Sequence, residues 1–198
     1  MENTKRILSQ RFEDALVYAA KLHKRQARDG SGVPYIAHLL GVASIALEYG
    51  ADEDEAIAAL LHDAIEDQGG DMIRQEIRKH FGDQVVEIVN GCTDSDVIPK
   101  PPWKERKDAY IAHIRNATPS VRLVSAADKL HNLQTIVKDY RIVGDEIWNR
   151  FKGGKEGTFW YYRSLITEFR AAEGSRSELV EELARVFKEL ERVERGNK

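Results

Sequence analysis

The stretch Ala59-Leu60-Leu61-His62-Asp63-Ala64-Ile65-Glu66-Asp67 decides how the rest of the chain is read. At about 100° per residue on an α-helix, His62, Asp63, Glu66 and Asp67 share one arc of roughly 140°. Ile57, Leu60, Leu61, Ala64 and Ile65 share the opposite arc. One face therefore belongs to a core, and the other presents an imidazole and a group of carboxylates. Carboxylates crowded this closely repel one another unless a cation sits among them. The pattern predicts one helix running to Gln68-Gly69-Gly70, apolar on one side and carrying a metal site on the other.

Outward from that helix, three- and four-residue spacing of apolar side chains continues along the chain. Phe12, Ala15, Leu16, Ala19 and Leu22 mark a first helix. Asp29-Gly30-Ser31-Gly32-Val33-Pro34 reads as a loop, because Gly and Pro both interrupt helices. Ile36 to Tyr49 reads as a second helix, and Asp52 or Asp54 can cap the third. Further helices are expected at 71–80, 83–90, 104–116, 119 to about 137, 145–151, 158–171 and 177–194. Pro119 suits a first helical turn. The segment from Asp94 to Pro102, with Pro99, Pro101 and Pro102, reads as loop. Val85-Val86-Glu87-Ile88-Val89 has the composition of a strand, but Phe81-Gly82-Asp83 before it looks like a helix start. The expectation is an all-α fold of roughly ten helices. Residues 1–198 read as a single domain, with a motif core at 10–140 and the helices of 141–198 completing it.

Bulk properties narrow the function. The chain has 198 residues, 42% hydrophobic and 32% charged, which suits a globular protein. A net charge of −3 offers no general basic field, so nucleic acid is not an expected partner. No apolar run has membrane-spanning length, and Met1-Glu2-Asn3-Thr4-Lys5-Arg6 lacks the apolar stretch of a signal peptide. Cys92 is the single cysteine, which fits a reducing compartment. These readings together predict a cytoplasmic protein without a membrane partner.

A divalent ion needs three or four ligands from different segments. His38 opens a helix otherwise apolar at Ile36, Leu39, Leu40 and Val42. Asp128 ends the apolar stretch Val121-Arg122-Leu123-Val124-Ser125-Ala126-Ala127, where an unpartnered carboxylate is costly to bury. His38, His62, Asp63 and Asp128 form a mixed nitrogen and oxygen set that suits manganese, iron, zinc or magnesium. Glu66 and Asp67, one turn further on, stand where a hydrolase keeps carboxylates that orient or deprotonate water. Asn132, one turn after Asp128, faces the same cavity. Simpler readings exist for each residue alone: a satisfied core histidine, a solvated helix end, or an Asp128 paired with Lys129 or Arg122. Lys104, Arg106 and Lys107 individually suit a solvated face. His23, His80, His113 and His131 show no ligand pattern and are expected to be structural.

The order His38 … His62-Asp63 … Asp128 resembles the HD-domain metal phosphohydrolases. His23-Lys24-Arg25-Gln26-Ala27-Arg28, Gly32-Val33-Pro34-Tyr35-Ile36-Ala37-His38, Ala58 to Asp67 and Ala127-Asp128-Lys129-Leu130-His131-Asn132-Leu133 resemble the hydrolase domain of RelA/SpoT proteins. The match covers most of residues 10–140 and is similar to the small metazoan members of that group. The resemblance implies an HD-type fold and Mn²⁺ held at His38, His62, Asp63 and Asp128. It implies removal of the 3′-pyrophosphate from (p)ppGpp, with Glu66 and Asp67 as the catalytic pair. It also implies a nucleobase against Arg28, a nucleoside contact from Asn132 and an aromatic such as Tyr161 closing the site. Lys104, Lys107 or Arg28 would then offset the phosphate charge. Leu39 and Asp29 depart from the family's usual proline and basic residue, and the loop at Lys100-Pro101-Pro102-Trp103 is longer. Rival readings are an HD hydrolase of (p)ppApp, an NADPH phosphatase, a nucleotidase, or a non-catalytic alarmone sensor. Homo-oligomerisation through the terminal amphipathic helix is a further alternative.

Overall fold

The computed structural model describes residues 8–97 and 99–196. Met1 to Arg6, read above for targeting signals, and Ile98 of the proline-rich loop lie outside them. Among the described residues the regular elements are ten α-helices and one 3-10 segment. The helices are α1 (Gln10–Leu22), α2 (Ile36–Glu48), α3 (Glu53–Leu61), α4 (Ala64–Gln68) and α5 (Gly70–Phe81), then α6 (Asp83–Cys92), α7 (Trp103–Asn116) and α8 (Pro119–Val143). The 3-10 segment Gly144–Arg150 leads to α9 (Gly154–Ala171) and α10 (Ser177–Gly196). The all-α expectation holds, and Val85 to Val89 is helical. The only bridge pairing among the described residues joins Ala27 to Pro34, which makes the glycine-rich loop a short hairpin-like turn. No helix among them is long and apolar enough to cross a membrane.

Two helices are buried on nearly every side. In α3 every residue from Glu55 to Leu61 is buried, and in α8 every residue from Val121 to Asp128. A helix apolar all round belongs in the middle of a fold. These two pack on each other and on α2, while α6 and α10 cover α8. Each has a strong start. Asp52 and Glu55 form a reciprocal capping box on α3, and Thr118 caps α8 with Pro119 in its first turn. Each cap contributes about 1 kcal/mol. The amphipathic α10 buries Leu179, Leu183, Val186, Phe187 and Leu190, so its apolar face is spent on the core.

The expected third helix is corrected by the structure. It breaks at His62-Asp63, where α3 ends and α4 begins. His62 Nδ1 donates to the carbonyl of Ala59 at 2.8 Å, three residues back, and Asp63, at φ −97° and ψ −2°, stands at the N-cap of α4. On a continuous helix adjacent side chains diverge by about 100°. The break lets the two converge, with His62 Nε2 3.0 Å from Asp63 Oδ2. The eighth helix also runs beyond the expected 137 to Val143, and 144–150 is 3-10 rather than α.

Candidate metal centre and substrate cleft

His38 lies in the first turn of α2, His62-Asp63 in the turn between α3 and α4, and Asp128 midway along α8. The packing of the three helices brings these side chains to one point. His38 Nε2 is 3.2 Å from Asp128 Oδ1 and 3.5 Å from Asp63 Oδ2. His62 Nε2 is 3.0 Å from that Asp63 oxygen and 3.6 Å from that Asp128 oxygen. Ligands about 2.0–2.2 Å from a shared ion stand roughly 3–3.6 Å apart. The His38, His62 and Asp128 ligand atoms lie within 4.8 Å of one another, and all three residues are buried.

The donor set fits a divalent cation. The Nδ1 proton of His62 is committed to Ala59, yet its buried Nε2 has no hydrogen-bond partner among the described residues. In neutral histidine that nitrogen carries a lone pair, and here it faces two carboxylates. A cation between them removes the repulsion. Without one, burial works against charge on His62, but Asp63 and Asp128 outweigh it and hold the imidazole well above its usual range. Burial likewise works against both carboxylates, but His62 and His38 beside Asp63, and Lys129 and the two histidines beside Asp128, hold them well below theirs.

Neighbouring groups fix the carboxylates. Tyr35 donates its hydroxyl proton to Asp63 Oδ2 at 2.6 Å. Lys129 Nζ lies 2.6 Å from Asp128 Oδ2, and Asn132 Nδ2 donates to Asp128 Oδ1 at 2.5 Å. Asn132 Oδ1 in turn accepts from Arg28 at 2.7 Å. Tyr35, Lys129 and Asn132, each bonded to one of the two aspartates, also line a cleft of about 510 Å³, so the cluster adjoins that cleft through them. Arg28, Asp67, Lys107 and Tyr161 also line it, as do Trp103, Arg150 and Lys152.

The expected residues divide. Asp67 faces the cleft and accepts from Gln26 Nε2 at 2.8 Å. Burial, followed by the nearby Asp63 and Glu66, raises its proton affinity above the usual carboxylate range. Glu66 instead ties down the loop before α7: Lys100 Nζ lies 2.7 Å from one oxygen and the Asp94 N–H donates to the other at 3.2 Å. Lys107 contacts Asp94 at 3.0 Å and approaches the Tyr161 ring at 4.9 Å. Burial and the adjacent Lys129 lower its pKa. The Tyr161 hydroxyl is buried without a partner among the described residues. Lys104 is not in the cleft lining. It pairs with Asp108 at 2.6 Å, lies over the Trp160 ring at 3.8 Å and keeps 58% of its side chain exposed.

Tyr35, Lys129, His131, Trp103, Arg150 and Lys152 were not singled out by sequence as site residues. Tyr35 had a usable signal, since it precedes His38 by three residues and shares its helical face. Lys129 was visible only as a possible partner of Asp128.

The HD domain profile matches residues 15–159. The human guanosine-3′,5′-bis(diphosphate) 3′-pyrophosphohydrolase MESH1 is 33% identical over 179 residues, covering 89% of this chain and 92% of that protein. Its Xenopus tropicalis counterpart is 41% identical over 126 residues, 62% of this chain and 68% of that one. Among solved structures, a metazoan ortholog of SpoT that hydrolyses ppGpp and plays a role in starvation responses superposes with a TM-score of 0.74 at 26% identity, over 92% of this chain and 97% of that one. The chain belongs to the HD-domain family, in the branch of the RelA/SpoT-related pyrophosphohydrolases that it resembles over nearly its whole length.

Proposed function

We propose that this protein is a manganese-dependent hydrolase that removes the 3′-pyrophosphate of guanosine alarmones, converting (p)ppGpp to GDP or GTP and pyrophosphate. The observation that carries the reading is the convergence of two histidines and two aspartates, tied by Tyr35, Lys129 and Asn132 to an adjoining cleft that also presents Arg28 and Lys107. The relatives named for this activity support the choice of substrate.

His38, His62, Asp63 and Asp128 would hold the ion. When bound, it supplies Lewis acidity, which offsets phosphate charge and makes water a better nucleophile. Asp67, which lines the cleft and is held there by Gln26, would take the water's proton; burial and the nearby Asp63 and Glu66 raise its proton affinity. Glu66 acts by holding the loop at Asp94 and Lys100 against the site. Lys107 and Lys129 offset charge on the leaving pyrophosphate. Arg28 lies against the base and Asn132 orients the nucleoside. Tyr161 closes the inner wall. Water oxygen bonds to phosphorus, the bond from phosphorus to the ribose 3′ oxygen breaks, and that oxygen takes up a proton.

The test is a substrate panel with added manganese, reading pyrophosphate and orthophosphate separately. Pyrophosphate from ppGpp in preference to ppApp, with no orthophosphate from NADPH, is the expected result. Orthophosphate from NADPH alone would assign a phosphatase instead. Binding of ppGpp without turnover would assign a sensor.

A further inference from the structure

Sequence reading leaves His131 among the structural histidines, but the structure sets it against a ligand. Its Nδ1 lies 2.9 Å from Nδ1 of His38, with ring centroids 4.9 Å apart. The opposite edge of the ring rests on Gly41 of α2. A β-carbon at Gly41 would fall 2.2 Å from Cδ2 and 2.3 Å from Nε2 of His131. The crossing of α2 and α8 thus has a ring-sized gap that only glycine leaves open, and the ring is backed against it.

Two ring nitrogens at this distance attract only if one carries a proton and the other a lone pair. His38 Nε2 points at Asp63 and Asp128. As a metal ligand it must offer a lone pair there, so the proton of neutral His38 sits on Nδ1. The acceptor which that proton meets is His131 Nδ1. We propose that His131 is a positioning residue: it accepts the His38 Nδ1–H and so commits His38 Nε2 to the metal. The two ligand histidines are then anchored differently. His62 donates to the backbone carbonyl of Ala59, which no substitution removes. His38 donates to a side chain, which one substitution deletes. Such outer partners set ring orientation and tautomer.

This inference rests on the metal reading above, not on the choice of substrate. It is tested on the full chain labelled with ¹⁵N-histidine and loaded with zinc, a diamagnetic ion. The expected spectrum shows a protonated His38 Nδ1 coupled to His131 Nδ1 across the hydrogen bond. By calorimetry, His131→Leu should bind zinc about 10- to 100-fold more weakly. His131→Asn, whose Oδ1 can take the place of Nδ1, should recover most of the loss. An unprotonated His38 Nδ1 in the loaded protein overturns the proposal, as does a folded His131→Leu with unchanged zinc affinity. If His131→Leu does not fold, the coupling in the unsubstituted protein decides. Loss of ppGpp turnover with tautomer and affinity as expected would count against the substrate assignment alone. Absence of zinc binding by the unsubstituted chain would remove the metal reading and this inference together.

Discussion

At the inner end of the site, the candidate ligands come from α2, the α3–α4 turn and α8, which pack on one another in the core. At the outer end, the lining comes from the turn at Arg28, the start of α7, the 3-10 segment and α9. His38, His62 and Asp128 are buried and Asp63 is half-buried, and all are bonded to groups that cannot move far: His38 and His62 are each 2% exposed. Arg150 at the outer end instead pairs with Asp139 and lies across Gly30. The difference separates chemistry from recognition. On the proposed function, the rigid end would set whether a metal binds, and the composite end which nucleotide enters.

Substitutions at the inner end should therefore act on metal binding and those further out on substrate. The largest effect is expected at Asp63→Ala, which should lower turnover at least about 1000-fold by removing the ligand that bridges both histidines. Metal content of the purified variant checks the cause. Asp67→Asn should keep the metal yet lose about 100-fold or more in kcat, the usual range for a general base. Equal metal loss in both variants would erase the distinction between ligand and proton carrier.

Acid should also act at the inner end. Without metal, the His62 imidazole stays protonated above its ordinary range, and the ion must displace that proton. Apparent affinity should fall about tenfold per pH unit on acidification, with proton release on binding, for one proton exchanged. In the metal-free chain the sign for stability is the reverse. A raised histidine pKa contributes fully below the unfolded value of about 6.5, and the contribution is lost as pH rises through the folded value. Titration calorimetry in buffers of different ionisation heat reads the proton count.

Outer positions should give smaller effects. Arg28→Ala should raise KM about tenfold with little change in kcat, because a charged hydrogen bond to Asn132 is lost. Gly153→Ala should act on stability: its new β-carbon would fall 2.5 Å from the Trp103 ring, a clash costing about 1–3 kcal/mol. A thermal melt detects it.

The inner end was legible in sequence because its residues break an apolar pattern. Asp128 after Val124, Ala126 and Ala127 is too costly to bury without a partner, and His38 interrupts a similar run. The break at His62-Asp63 was not legible, because helical spacing of apolar residues continues on both sides of the point where α3 ends and α4 begins. Lys104 and Lys107 look alike in sequence, yet their places on α7 point one at Asp108 and the other into the cleft. Trp103, Arg150 and Lys152 reach the cleft through the docking of α7, the 3-10 segment and α9, which no local pattern encodes. Glu66 and Asp67 read as one pair but take different partners, Lys100 and Gln26.

If the four converging side chains make a metal-dependent pyrophosphohydrolase, pyrophosphate release from ppGpp by the chelator-treated chain, measured before and after manganese is restored and beside Asp63→Ala, should appear only with manganese and only from the unsubstituted protein. Equal release without metal, or from Asp63→Ala, would contradict it.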